Sequence, residues 1–325
     1  MKRTLGSVAS LAGGLTLALA LSLAAAPANA ADSPTVSNHT ETGCGQPITL
    51  HTPAREGQAL SGTDVGLSTD TPLFKEAAAR HVHWLSTITC KAHARPHPTL
   101  EPASAGAQTL NWSGYVTTTG FTPNYVQAAW TEPSVSLPSG TNSAESVIWP
   151  GLGGYCDQCQ LIQDGTLQFD QASGSSYLQQ DYFWFEVFPQ EQMQLVTNLI
   201  PNPGDSLATT VSWSNSTASF ALCDYTQNTC LTGTQSSPAP TGSAEWVVER
   251  PTLASGGYPA LPNFGNVTIS QAAFQLTPNG QLAYTAGSSN AFPVTMVNTA
   301  NQTLAAPGSL SSDGASFSDQ WYRLG

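Results

Sequence analysis

Among the side chains able to do chemistry, carboxylates dominate, and imidazoles are missing from most of the chain. All six histidines lie before residue 98, and from residue 107 onward only Arg250 and Arg323 can carry positive charge against fourteen Asp and Glu. Histidine is the usual general base near neutral pH, so a reaction in the downstream part must run on carboxylates, amides or hydroxyls. A Ser-His-Asp or Cys-His arrangement cannot be assembled there, and a histidine-held zinc site fails likewise. The tripeptides Asp-Thr-Gly and Asp-Ser-Gly, which would signal paired catalytic aspartates, occur nowhere, and neither does the Gly-Thr-Ser nucleophile turn of acid-acting serine peptidases. What remains is glutamate chemistry, and it points to acid.

The charge balance points the same way. Nine Lys plus Arg stand against twenty-one Asp plus Glu, a formal net charge of −12. Such a body repels itself at neutral pH and approaches neutrality as its carboxylates protonate near their ordinary values of about 4. Better tolerance of low than of high pH is therefore expected. Nucleic acid is an unsuitable partner, because phosphate binding needs clustered Lys and Arg.

The elements that must position these groups read as strands. Short runs rich in aromatic and β-branched residues recur at 112–119, 125–131, 182–188, 207–213, 219–225, 244–249, 267–274 and 292–297, separated by Gly, Pro, Asn and Ser. No stretch of this region sustains a helical period. Its 219 residues fit one large all-β antiparallel sandwich, here expected as a monomer. Alternation along 244–249 places Glu245, Val247 and Glu249 on one face and Trp246 in the core; along 182–188, Trp184, Glu186 and Phe188 share a face. Glu186 is thus expected beside Glu245 on one concave sheet.

Five stretches stand out in order: Asn111-Trp112-Ser113-Gly114, Trp149-Pro150-Gly151-Leu152-Gly153, Leu161-Ile162-Gln163-Asp164-Gly165, Trp184-Phe185-Glu186-Val187-Phe188-Pro189, and Ser243-Ala244-Glu245-Trp246-Val247-Val248-Glu249-Arg250. Their order resembles the glutamic peptidases, the eqolisins, well over 110–268 and more weakly at 317–321. The resemblance implies a concanavalin A-like or jelly-roll sandwich that cuts polypeptide substrates without a metal or other cofactor. It places the catalytic roles on Gln163 and Glu245, lining of the cleft on Trp149 and Trp112, and hydrogen-bonding support on Glu186. In that chemistry ionised Glu245 takes a proton from the attacking water and returns it to the leaving amine, while Gln163 stabilises the oxyanion. Two departures stand out: Gly153 and Tyr182 occupy positions where the family pattern has aspartates, with Asp181 one place earlier. They put the supporting carboxylates in question and leave the pair intact.

Upstream, Lys2 and Arg3 precede an uncharged run that ends at Ala28-Asn29-Ala30, the pattern of a removed secretory signal over 1–30, with a single membrane span as the alternative. No later segment is long and apolar enough to span a membrane. Residues 31–106 hold every histidine and read as a pro-region, with one possible helix at 73–88 and Pro-rich runs at 95–98 and 101–102 that read as linker. Its basic end is expected to lie against the acidic body 107–325 at neutral pH and to be released on acidification; an extension without inhibitory role is the alternative. Six cysteines in an exported chain are expected to pair, with Cys223–Cys230, Cys156–Cys159 and Cys44–Cys90 as the natural partners and a zinc site on the first four as the less suitable option. A carbohydrate-active sandwich is the competing function, either a glycosidase using Glu186 and Glu245 or a glycan-binding module.

Overall fold

The computed structural model describes residues 35–67, 71–93, 107–118, 122–155, 159–173, 176–253, 255–276, 284–289 and 291–325. The signal segment, the Pro-rich run at 95–98 and Cys156 lie outside them. In chain order the upstream strands and helix are β1 (Val36–Glu41), β2 (Ile48–Pro53), α1 (Pro72–Arg80), β3 (His83–Trp84) and β4 (Cys90–His93). The body supplies β5 (Gln108–Thr109), β6 (Trp112–Thr118), β7 (Tyr125–Thr131), β8 (Ser143–Gly153), β9 (Leu161–Ser173), β10 (Ser176–Phe188), β11 (Met193–Val196), β12 (Ser206–Ser214), β13 (Thr217–Asp224) and β14 (Thr229–Ser236). It continues with β15 (Ser243–Glu249), β16 (Asn266–Gln275), β17 (Tyr284–Thr285), β18 (Phe292–Val297), β19 (Thr303–Pro307) and β20 (Phe317–Trp321).

These strands build an antiparallel sandwich. One sheet runs β18-β6-β15-β8-β9-β10-β11-β4 and the other β16-β7-β12-β13-β14-β2-β1, while β19 and β20 link β18 to β16 at one end. Alternation supplies the shared core. Ile148, Ile162, Phe183, Phe185, Trp246 and Val248 of the first sheet meet Val126, Trp130, Val211, Phe220 and Leu222 of the second. The Phe185 and Phe220 rings lie 5.3 Å apart, and the Trp246 indole donates to Gln127 O at 2.8 Å, which satisfies its one polar atom inside the core.

All eight expected strands are present, and two further long strands near the site, β8 and β9, join them. Pro150 and two glycines interrupt the propensity of the first, and the second carries Gln163, Asp164 and Gly165 along its length. Pro150 has no N–H to give, and β8–β9 pairing lapses at Trp149 and Pro150 before resuming in the same register at Gly151↔Gln163.

The upstream segment is more ordered than a linker. Thr71 caps α1 by accepting from the Phe74 N–H, with Pro72 at the first helical position, where its missing N–H costs nothing. The helix expected over 73–88 stops at Arg80 because His81 turns left-handed at φ 53, after which the chain extends as β3 along β14. Leu73, Phe74 and Ala77 then pack with Tyr125, Ala208, Ala221 and Tyr225 on the outer face of the second sheet. Full burial of a Leu or Phe side chain contributes about 1.5–3 kcal/mol. Cys44–Cys90 and Cys223–Cys230 are disulfides and Cys159 is also disulfide-bonded, so the latter pair cannot serve as zinc thiolates.

Candidate active site

Strand register brings the sequence candidates onto one line. Val116↔Glu245, Glu245↔Gly151, Gly151↔Gln163 and Gln163↔Glu186 form a single rung across five adjacent strands of the first sheet. Residues on one rung point to the same face, and here it is the face opposite the core, shared with Trp149 and Trp184 two rungs along and Trp112 four rungs along on the same side. With about 4.8 Å between strands, the Glu245 and Gln163 backbones stand about 10 Å apart. Gly151 between them has no side chain. A Cβ there would lie 2.6 Å from the Trp149 ring, so the indole leans over the glycine and floors the gap.

Each polar group on this face has a distinct setting. Gln163 Nε2 donates to Glu186 Oε2 at 2.6 Å, which fixes the amide with nitrogen toward the carboxylate, while Gln163 Oε1 has no partner among the described residues. That leaves a second N–H and a carbonyl oxygen for other work. Glu245 is completely buried, and neither of its oxygens has a hydrogen-bond partner within normal geometry among the described residues. Burial pushes its carboxyl well above the ordinary value, opposed only by the nearby Ser243 hydroxyl. Burial thus favours the neutral form of Glu245.

Trp149 is held by a carboxylate that sequence reasoning did not assign. Trp149 Nε1 donates to Glu249 Oε2 at 2.9 Å, and Asn111 Nδ2 reaches Glu249 Oε1 at 3.4 Å. Trp112 meets Trp149 edge-on at 4.9 Å, and its own Nε1 has no partner among the described residues. The signal was available: Glu249 lies two alternations beyond Glu245 on the same strand, so it had to share its face.

Both departures from the family pattern now have a physical basis. Gly153 has φ 82, and a Cβ would fall 2.1 Å from Gln160 O and 2.8 Å from Thr241 N, so no aspartate fits there. Asp181 pairs with Gln168 in unbroken register and faces the core, while Tyr182 takes the cleft side. Asp181 accepts from Gln179 Nε2 at 2.7 and 2.9 Å, and burial raises it to about 7. It belongs to the interior and not to the site.

The far end of this sheet curls over the cleft face. Strand β4 pairs with β11, which places it four strands from β8, about 19 Å in a flat sheet. Yet His93 Nε2 on β4 lies 2.9 Å from Glu145 Oε1 on β8, which shares the face of Trp149. Met193 and Leu195 of β11 also join the apolar cluster of Trp112, Trp149 and Trp184. The described part of the upstream segment therefore reaches Glu145, on the same face of β8 as Gly151 and six residues before it. A cleft of about 490 Å³ lined by Arg55, His83, Trp84 and Asn228 has no residue in common with the rung.

Glu186 and Glu245 are three strand spacings apart, with Gln163 between them and bound to Glu186. An acid–base pair for glycoside hydrolysis is about 5–10 Å apart and open between its members, and this arrangement suits it poorly.

The family model for the Peptidase A4 family matches residues 110–318. A solved scytalido-glutamic peptidase with a transition state analog inhibitor superposes with a TM-score of 0.53 at 19% identity, covering 65% of this chain and 98% of that one. SCP-B, a member of the eqolisin family in a complex with the tripeptide Ala-Ile-His, gives 0.51 at 21% identity with the same coverage. None of the curated proteins matches significantly. At these identities the superpositions establish a shared fold.

Proposed function

This chain belongs to the Peptidase A4 family and is a peptidase, and from that premise we propose that it is a secreted endopeptidase acting in acid through Glu245 and Gln163. The observation that carries the reading is the shared rung, in which a free carboxyl and a half-free amide flank the side-chain-free Gly151. Ionised Glu245 takes a proton from water as it attacks the scissile carbonyl, then delivers it to the departing amine. The Gln163 N–H not engaged by Glu186 donates to the oxyanion, and Gln163 Oε1 holds the water. Glu186 positions the amide. A donor of this kind is worth on the order of 3 kcal/mol in the transition state, and an amide keeps that function at any pH. Trp149 and Trp112 line the cleft for polypeptide substrates.

The packing of β4 across the site-bearing face supports the pro-region reading in that part of residues 31–106 covers the site until the chain is cut. A fully buried Glu245 cannot meet water, so the site must be uncovered and hydrated before it can act. The His93 Nε2–Glu145 Oε1 contact at 2.9 Å ties β4 over this face. The disulfides support an exported protein, and no helix among the described residues is long and apolar enough to cross a membrane.

The test is digestion of an unfolded protein at several pH values with mass mapping of the products. Cleavage is expected at about pH 3–4, abolished by Gln163→Ala and by Glu245→Gln and reduced less by Glu186→Gln. Undiminished proteolysis by Glu245→Gln rejects the assignment.

A further inference from the structure

Residues 36–86 are seated in the body in a way that a discarded segment does not require. From residue 34 on the chain is one compact unit. Ile48 and Leu50 of β2 are fully buried and enter the main core between the sheets. The body is shaped to receive them: a Cβ on Gly233 would lie 2.8 Å from Ile48 Cδ1 and 3.2 Å from Leu50 Cδ2, so the side chain missing at 233 is the space that Ile48 fills. The outer edge of β14 is hydrogen-bonded by β2 at Gly233↔Leu50 and Thr234↔Thr49, and by β3 at Thr229↔His83 and Cys230↔Trp84. The Tyr225 hydroxyl donates to Leu73 O at 3.0 Å from beneath α1. Removing the segment would expose an open strand edge and an apolar sheet face together, a combination that folded proteins avoid.

We propose that residues 36–86 are a permanent part of the mature protein. Cutting the chain within 94–106 leaves them bound to 107–325 as a second chain, and the only part that moves is β4. The Cys44–Cys90 disulfide keeps that strand tethered to the segment as Lys91, Ala92 and His93 peel from β11. Neither Cys44–Cys90 nor Cys223–Cys230 joins segment to body, so the association is non-covalent. This inference goes beyond the peptidase reading and does not depend on it.

The test uses the full chain carrying Glu245→Gln, so that self-digestion plays no part, with a recognition site for a specific protease placed within 96–105. After cutting, the two pieces are expected to co-elute in size exclusion at micromolar concentration, at pH 4 and at pH 7, and to appear as one complex by native mass spectrometry. Separate elution at both pH values overturns the proposal, whether or not the separated body stays soluble. Gly233→Leu fills the Ile48 socket and is expected to lower the retained fraction at least tenfold in the cut protein. Unchanged retention overturns the socket as the anchor. Circular dichroism of the uncut variant separates loss of binding from loss of fold.

Discussion

The two faces of the sheet that carries the rung bury carboxyl groups in opposite settings. On the cleft face, Glu186 and Glu249 each accept a hydrogen bond that holds a working side chain, and Glu245 has no such partner among the described residues. On the core face, Asp164 sits directly behind Gln163, fully buried, raised well above its ordinary value by burial and eased only by Thr209 and the Ala221 backbone. Nearby, Glu132 is pushed to about 8 by burial and by Asp181, against donors from Gln168, Trp130 and Thr166. Burial thus favours the neutral form of the interior carboxyls.

Adjacent residues give the sharpest way to break this contrast. Gln163→Ala should lower kcat about 10²–10³-fold, whereas Asp164→Asn, one position along, should leave acid kcat within about twofold and raise the melting temperature at pH 7. Equal losses in steady-state assays of the two variants would erase the distinction between the faces.

A smaller effect concerns stability. A carboxyl raised in the folded state costs nothing below its unfolded value, because both states are then neutral. As pH rises above about 4, only the unfolded chain releases its proton, so stability falls until the folded pKa is passed. For Asp181 that window ends at about 7 and for Glu132 at about 8. The loss is roughly 1.4 kcal/mol per decade of proton affinity as an upper bound. Urea unfolding should therefore show stability declining from about pH 4 to pH 8, and Asp181→Asn, which keeps an acceptor for Gln179, should flatten the slope up to pH 7. A stability maximum at pH 8 would remove the interior carboxyls from the account.

Smallest is the effect of the indole support. Glu249→Gln should raise KM for peptides a few-fold, on the order of 1 kcal/mol for one charge-assisted hydrogen bond, with kcat nearly kept. A fall confined to kcat would place Glu249 in the chemistry instead.

Face assignments were legible from alternation alone: Trp246 in the core, and Glu245, Glu249 and Glu186 on one side. The proposed pairing of Gln163 with Glu245 rests on motif order, because nothing local distinguishes Gln163 from any other strand glutamine. The residue that makes room for the substrate, Gly151, has meaning only once Glu245 and Gln163 stand on either side of it, and those neighbours come from 94 residues downstream and 12 residues on. The order of the upstream segment was hidden for a related reason. Its apolar residues are spaced for neither helix nor strand over most of its length, and its order is supplied by a surface made from β7, β12, β13 and β14. Sequence read locally sees the plug without the socket.

Four strands contribute one residue each to the rung Glu245, Gly151, Gln163 and Glu186. A sheet that formed with β9 displaced by a single residue would turn Gln163 inward and present Asp164 or Ile162 in its place. Such a molecule could keep most of its strand content and much of its compactness. Turnover is therefore a proofreader of assembly in this protein: among refolded molecules of equal ellipticity, the active fraction counts those in which four strands found the same line.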